Sequence, residues 1–196
     1  MLTHENLDRL RKDITFTANL NGEKLLIHST WGIFSPKEID EGTQLLINIL
    51  HIEPEFDCLD LGCGYGPIGL YMARRASQGR TLLVDKDFMA IEYSNANAAR
   101  NQITNAKAML SNAFDHIDSS LRFDVIASNI PAKVGKEMLS LILHDAKQSL
   151  KPQGKLYVVT INGLRQYMKR NLNEIFGNYK KLKQGKTYTV AMAENI

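Results

Sequence analysis

The sequence has few of the features that mark secreted or membrane proteins. It contains only two cysteines, Cys58 and Cys63, and no Cys-x-x-Cys pair, so a disulfide framework is not indicated. No apolar run approaches the roughly 18–20 residues that a membrane-spanning helix needs. The opening segment MLTHENLDRLRKD is charged throughout, unlike a secretory signal peptide. These absences predict a cytosolic protein without a membrane segment.

A large excess of one charge is also missing. The net charge is +3, and the apolar share of 44% and charged share of 23% are those of a globular domain that closes its own core. The local distribution says more, because the segment 165–186 holds a single carboxylate, Glu174. We interpret this C-terminal basic stretch either as solvated surface or as a set of phosphate contacts. Its cations are Arg165, Lys169, Arg170, Lys180, Lys181, Lys183 and Lys186.

The histidines and serines suggest neither a metal site nor a hydrolase. Ser128 lacks the Gly-x-Ser-x-Gly surroundings of a nucleophile elbow. The five histidines are scattered without metal-ligand spacing, so we expect no metal. They are His4, His28, His51, His116 and His144.

The beginning of the chain predicts an extension in front of the main domain. A short polar helix is expected over residues 4–12. The segment ITFTANLNGEKLLIHS then alternates polar and apolar residues around Asn21-Gly22, the strongest short signal for a β-hairpin. SPKE, at residues 35–38, has the form of a helix start with Ser35 as the cap. We therefore divide the chain into a helix-and-hairpin extension, 1–30, and a main domain, 31–196.

From residue 56 onward, short apolar strands alternate with helices. The predicted strands are FDCLDL, TLLVD, AKAML, FDVIASN and KLYVVTI. Such alternation is typical of a parallel sheet that is covered on both faces. YKKLK and TYTVAMA, joined by a QGK turn, predict an antiparallel pair at the end. The expected fold is therefore α/β: a Rossmann-like sheet of seven strands with an antiparallel last strand, helices on both faces and an N-terminal β-hairpin.

LDLGCGYGPIGL places three glycines between the first strand of this sheet and its helix. Gly62, Gly64 and Gly66 allow a tight turn and the close approach of a ligand to the backbone. Asp85, about 20 residues further on at the end of the next strand, can accept hydrogen bonds from ribose hydroxyls. The pattern predicts a site for a nucleoside cofactor.

These motifs resemble those of class I S-adenosylmethionine (SAM) methyltransferases. DLGCGYG is similar to motif I of that class, in which the strand-tip Asp, here Asp60, and the turn backbone hold the methionine part of SAM. Residues 129–132, Asn-Ile-Pro-Ala, resemble the Asn-Pro-Pro-aromatic tip of enzymes that methylate amino or amide nitrogens. The resemblance implies the cofactor-binding residues Asp60, Gly62, Gly64, Gly66, Asp85, Asn112, Ala113 and Asn129, of which Asn112 and Ala113 lie by the adenine. It implies the catalytic residues Asn129, Ile130 and Pro131.

The chemistry of such a tip explains its residues. An exocyclic amine on a nucleobase is a poor nucleophile, because its lone pair is delocalised into the ring. Two acceptors aimed at its N–H groups can turn that lone pair toward a methyl donor. The side-chain oxygen of Asn129 and the carbonyl of Ile130, held by the rigid Pro131, can be these acceptors. No strong general base is needed, because positioning and charge stabilisation supply most of the help.

Over about residues 31–193 the chain resembles a narrower group, the small-subunit ribosomal RNA guanine-N2 methyltransferases and their single-domain relatives. The segments that carry this resemblance are WGIFSPKEIDEGTQLL, LDLGCGYGPIGL and NIPAKVGK. It implies an RNA substrate, methylated at guanine N2, and a match to only the catalytic half of the members with two tandem domains.

The tip departs from the common pattern at Ala132, which cannot stack on a base as an aromatic ring would. Phe34, Tyr65 and Trp31 are candidates to replace that ring, with Phe34 as the predicted substrate-binding residue. Two further substrate-binding predictions, for phosphate contacts beside the tip, are Lys133 and Lys136.

Two other functions stay open at this point. Methylation of a protein glutamine amide uses the same tip geometry, but that family normally keeps both prolines and a tyrosine. A SAM-binding or RNA-binding module without catalysis is the other alternative. The joint presence of Asp60, the three glycines, Asp85 and Asn129 argues against it. The oligomeric state is not indicated.

Overall fold

The computed structural model describes residues 4–10, 12–131 and 133–196. Helix α1 (His4–Leu10) precedes a hairpin of β1 (Ile14–Leu20) and β2 (Glu23–Ser29). The remaining elements are α2 (Glu41–Ile47), β3 (Cys58–Leu61), α3 (Pro67–Arg75), β4 (Thr81–Asp85), α4 (Phe88–Arg100), β5 (Ala106–Leu110), β6 (Phe123–Asn129), α5 (Lys136–Ser149), β7 (Leu150–Ile161), α6 (Arg165–Phe176), β8 (Lys180–Gln184) and β9 (Tyr188–Glu194). Within these ranges, no helix is long and apolar enough to cross a membrane.

Seven strands form one mixed sheet in the order β5-β4-β3-β6-β7-β9-β8. Strands β3 to β7 run parallel to one another, whereas β9 lies antiparallel between β7 and β8. The predicted fold class, including the antiparallel last strand and the N-terminal hairpin, is confirmed. The carboxyl ends of the parallel strands meet at one edge of the sheet, where ligands bind in such folds.

Helices cover both faces of the sheet. Helices α2, α3 and α4 lie on the first face, where Leu46, Leu70 and Met72 are fully buried. Helices α5 and α6 lie on the second face, over a core that includes Leu139 and Leu172. The strands are apolar on both faces because both are buried, which removes the polar–apolar alternation of a half-exposed strand.

The hairpin is held against helix α4 by two asparagines. At its turn, Asn21 and Gly22 both have positive φ, as a two-residue hairpin loop requires. Asn97 accepts a hydrogen bond from the backbone N–H of His28 and donates to its carbonyl, and Asn101 does the same with Leu26. The two side-chain amides therefore pair with β2 much as a neighbouring strand would.

The predicted helix start at residues 35–38 is wrong. Ser35 adopts a φ of 47°, and its hydroxyl donates to the carbonyl of Glu38 at 2.7 Å. The helix begins five residues later, because the carboxylate of Asp40 accepts from the backbone N–H groups of Gly42 and Thr43. This shift moves a charged N-cap to the carboxyl edge of the sheet.

Candidate functional site

The carboxyl edge of strands β3 to β6 brings the predicted site residues together. Leu61, at the end of β3, accepts a hydrogen bond from the buried hydroxyl of Ser128 in β6 at 2.7 Å. At the end of β4, the Asp85 carbonyl accepts from the N–H of Ser111, which directly follows β5. The ends of four neighbouring strands are thus joined into one surface.

The glycine turn leaves open space beside its backbone. Gly62 and Gly64 have positive φ. A Cβ at Gly62 would meet no described atom within 4 Å, and one at Gly64 only a methyl of Ile33 at 4.0 Å. The N–H of Gly64 donates to Oδ2 of Asp85 at 3.0 Å, while Oδ1 accepts from the N–H of Asp87. The turn and the acidic strand end are therefore in direct contact, with room above the backbone for a ligand.

Asp60 lies beneath this turn and is completely buried. Its Oδ2 accepts from the N–H of Gly69 at 2.7 Å, whereas its Oδ1 has no hydrogen-bond partner in the part of the chain that the structure describes. An unpaired buried oxygen is costly, and a cationic group such as the ammonium of SAM would supply the missing donor. This orphaned oxygen and the open glycine turn both fit the predicted cofactor.

The pH dependence of stability should reveal the burial of Asp60. Burial raises the pKa of Asp60 to about 7, with a smaller increase from Asp85, against a lowering by the Gly69 N–H. An unfolded Asp has a pKa of about 4, so ionisation favours the unfolded chain. The free energy of unfolding of the cofactor-free protein should therefore fall as the pH rises from about 4 to about 7, and then level off.

Asp60→Asn keeps an oxygen for Gly69 but cannot ionise. Its unfolding free energy, measured by urea titration at several pH values, should lack the part of the decline that Asp60 causes. Parallel pH curves for the two proteins would show that Asp60 does not titrate in this range.

The loop after β5 follows the edge of the same site. The hydroxyl of Ser111 donates to the carbonyl of Ala113 and accepts from the N–H of His116. Ala113 has a φ of 51°, and the exposed side chain of Asn112 donates to Asp115 at 3.0 Å. Hydrogen bonds within the loop thus hold it beside Asp85, and the contact of Asn112 and Ala113 with adenine stays a prediction.

The amide of Asn129 is held in one orientation at the tip of β6. Its nitrogen donates to Oδ2 of Asp40 and to the hydroxyl of Thr43, each at 2.9 Å. Both hydrogens of the amide are therefore used. Within the described residues, no group donates to the side-chain oxygen of Asn129. That oxygen is left as an acceptor at a place fixed by two hydrogen bonds.

Asp40 connects three parts of the chain at this point. One of its oxygens accepts from helix α2 and from Asn129, and the other accepts from the hydroxyl of Tyr188 at 3.0 Å. Burial, followed by the hydrogen bond to Asp40, raises the pKa of Tyr188 to about 12, so this hydroxyl stays a donor at neutral pH. The ring of Tyr188 comes so close to Gly42 that a Cβ there would lie 2.9 Å from it. Asp40, Thr43 and Tyr188 were not among the site residues predicted from the sequence.

Ile130 and Pro131 continue the predicted tip after Asn129, and their backbone groups differ in hydrogen bonding. The N–H of Ile130 donates to the carbonyl of Val159 at 3.0 Å, and the carbonyl of Pro131 accepts from Val134. No described backbone N–H donates to the carbonyl of Ile130. Lys133 and Lys136 are exposed just beyond the tip. Ala132 lies outside the described residues.

Of the three aromatic candidates for base stacking, Tyr65 is ruled out. It is only 3% exposed, and its hydroxyl donates to the carbonyls of Ser35 and Glu38, so it fastens the segment before α2 to the glycine turn. Phe34 in that segment is 65% exposed. Trp31 is 43% exposed, and the ammonium of Lys37 lies 4.8 Å from the centre of its ring. The ring of Phe34 is therefore accessible to a substrate, and its role in substrate binding stays a prediction.

Metal-binding side chains do not cluster in the described parts of the chain: no group of three or more His, Cys, Asp or Glu residues there could hold an ion. Both cysteines are buried as free thiols.

Comparison with known proteins places this geometry among methyltransferases. The methyltransferase small domain family matches residues 24–192. The uncharacterized protein YbxB of Bacillus subtilis is 35% identical over 96% of this chain and 90% of its own length. The ribosomal RNA small subunit methyltransferase C of Actinobacillus succinogenes is 33% identical over 86% of this chain and 50% of its own.

Among solved structures, the Thermus thermophilus 16S rRNA N2 G1207 methyltransferase (RsmC), in complex with AdoMet and guanosine, is similar with a TM-score of 0.85. It is 27% identical, over 94% of this chain and 51% of that one. The chain thus spans about half the length of these ribosomal RNA methyltransferases. The likeness confirms that the sheet is that of class I methyltransferases.

Proposed function

Because the chain belongs to the methyltransferase small domain family, we propose that it methylates an exocyclic amine of an RNA base, N2 of a guanine in ribosomal RNA. The predicted cofactor, SAM, is confirmed by the family and by the AdoMet-containing relative. When bound, SAM supplies an electrophilic methyl group. The backbone of Gly62 and Gly64, with Asp60 and Asp85, is proposed to bind it.

The fixed amide of Asn129 supports this proposal most directly. Because both of its N–H groups are bound, to Asp40 and Thr43, the side chain offers a substrate only its oxygen, an acceptor. An acceptor at this place suits a substrate that presents N–H groups, as guanine N2 does. A carbonyl substrate oxygen would find no donor on this side chain. The carbonyl of Ile130, next along the tip, is proposed as the second acceptor, so that the lone pair of the amine is directed away from both.

The names of the relatives support RNA as the substrate. A small-subunit ribosomal RNA methyltransferase and an N2-guanine methyltransferase are both similar to nearly the whole of this chain. This chain spans about half of their length, so its substrate and target nucleotide are proposed here and not taken from them. The division of the chain at residue 30 is likewise proposed. Ribosomal RNA as substrate would place the enzyme in the cytosol.

The hydroxyl of Thr43 is expected to act as a positioning group for Asn129. Thr43→Val preserves the shape of the side chain but leaves one amide hydrogen of Asn129 without its acceptor. The amide is then held by one hydrogen bond fewer, which is worth about 1 kcal/mol. We therefore expect kcat to fall roughly fivefold, with unchanged SAM affinity. Thr43→Ser keeps the hydroxyl and should restore most of kcat. Equal rates for the Val and Ser variants would exclude this role.

Incubation with methyl-labelled SAM tests the proposed function. Separate reactions contain ribosomal subunits, bulk tRNA or protein release factors. Label on guanine N2 of ribosomal RNA supports the proposal. Label on a glutamine of a release factor would replace it with protein amide methylation, and absence of label from all three would favour a non-catalytic module.

A further inference from the structure

Part of the C-terminal basic stretch folds onto one face of the sheet. Arg165 is the first residue of α6, and β8 is the edge strand, in which Lys181 pairs with Ala191 and Gln184 with Thr189. Ala191 packs into the core under α5 and α6, and positions 189 and 191 share a face. Lys181 and Gln184 therefore lie on the same face as α6.

Two cations on this face meet at one neutral oxygen. The guanidinium of Arg165 donates to Oε1 of Gln184 at 2.9 Å, and the ammonium of Lys181 donates to the same oxygen at 3.2 Å. The two nitrogens can be no farther apart than the sum of these distances. A carboxylate in this position would neutralise the charges, whereas an amide leaves them uncompensated.

The charges of Arg165 and Lys181 are also not balanced by a nearby carboxylate among the described residues. Among the described residues, no carboxylate forms an ion pair with a cation between positions 165 and 186. Glu174 is nine residues from Arg165 along α6 and exposed, about two and a half helical turns away. Glu41 approaches the β8–β9 turn at Gly185, but from α2, on the other face of the sheet.

The same face reaches the catalytic tip through α6. The hydroxyl of Tyr167 donates to the carbonyl of Lys136 at 2.8 Å, and the guanidinium of Arg170 lies 5.6 Å from the centre of the Tyr167 ring. Lys136 begins α5, just after the tip loop. We define the α6 track as the exposed or half-exposed cations of α6, of the edge strand beside it and of the segment that enters α5: Lys133, Lys136, Arg165, Arg170 and Lys181.

We propose that the α6 track binds the sugar-phosphate backbone of the RNA on one side of the target nucleotide, with Arg165 and Lys181 on the same phosphate. The inference rests on the proposed function, because an RNA whose base lies at Asn129 must continue over the surface beside the tip. Arginine and lysine together suit a phosphate, which accepts several charge-assisted hydrogen bonds. Such contacts position an RNA without reading its sequence.

The salt dependence of RNA binding tests the track. The double variant Arg165→Gln/Lys181→Gln is compared with Lys24→Gln/Lys107→Gln, which removes two exposed charges from the hairpin and from the opposite edge strand β5. The probe is a short fluorescent single-stranded oligoribonucleotide. The slope of log K against log salt is negative, and the loss of two phosphate contacts should reduce its magnitude by about 1.4. Binding should weaken about tenfold at about 0.15 M salt. The control should behave like the wild type.

The two proposals fail in different ways. An unchanged slope and affinity for Arg165→Gln/Lys181→Gln would overturn the track and leave these cations to solvent or to an acidic protein, even if methyl transfer proceeds. Loss of affinity without a change of slope, or an equal loss in the control, would overturn it as well. A reduced slope in a protein that transfers no methyl group would support the track and contradict the proposed function. Unchanged SAM affinity shows that each variant is folded.

Discussion

Replacing Asn129 with alanine is expected to slow methyl transfer by about 10²–10³, the usual cost of one positioned polar group at a reacting centre. The fold and the SAM affinity should remain nearly intact, because the amide acts on the substrate amine through its free oxygen. Single-turnover rates at saturating SAM isolate the transfer step. Wild-type rates for Asn129→Ala would mean that the tip is a remnant and that the catalytic proposal is wrong.

Asn178 offers a matched control for this substitution. Its side chain also forms several hydrogen bonds, here with the backbone of Phe176 and Glu194, but it lies at the opposite end of the sheet. Asn178→Ala should therefore lower stability without a selective loss of transfer. If both alanine variants lose the same activity, general destabilisation rather than the tip explains the effect.

An aspartate at position 129 gives a sharper result because of its neighbour. Asn129→Asp keeps an accepting oxygen, but it places a second carboxylate against Asp40, where the amide nitrogen now donates at 2.9 Å. Like charges at this separation repel strongly, so the tip should lose its fixed orientation. The exchange Asn129→Asp/Asp40→Asn restores one amide and one carboxylate, and it should recover part of the rate lost in Asn129→Asp. No recovery would show that the pair does not act through orientation.

Asp85→Ala should weaken SAM binding by about 1.5–3 kcal/mol, roughly 10- to 160-fold, the typical value of a hydrogen bond to a charged group. Asp85 stands at the end of β4 and touches the glycine turn through Gly64, so it is placed to accept from ribose hydroxyls. Titration calorimetry measures the change directly. Unchanged affinity would remove Asp85 from the cofactor site.

Asp87→Ala is the control for this measurement. It removes the same charge two residues away and also loses a hydrogen bond, because Asp87 caps α4 through the N–H of Met89. Its effect should fall on stability rather than on SAM affinity. Similar losses of affinity in both variants would point to the electrostatic field of the loop instead of a direct contact by Asp85.

The sequence predicted those features that short segments determine. Asn21-Gly22 defines the hairpin because few residue pairs accept positive φ at both positions. The strands of the sheet were recognisable as short apolar runs between helices, and the glycine turn and Asp85 followed from their places at strand ends. Each of these features depends on neighbours within a few residues or on a regular alternation.

The supports of Asn129 could not be predicted in this way. Tyr188 and Asp40 are 148 residues apart, and no spacing rule relates them. SPKE satisfied a capping pattern, but Ser35 has left-handed φ, and the stronger cap is Asp40. Tyr65 follows Gly64 and was a candidate for base stacking. Its ring instead packs edge-to-face against Phe16, with 6.2 Å between the ring centroids. Tertiary contacts decided all three.

The proposed methylation of guanine N2 in ribosomal RNA is tested most directly by mass mapping of modified nucleosides. Ribosomal RNA is prepared from cells with and without this protein, digested and compared. N2-methylguanosine should disappear from one position when the protein is absent and return with the wild-type chain, but not with Asn129→Ala. The same N2-methylguanosine content and positions in both RNAs would contradict it.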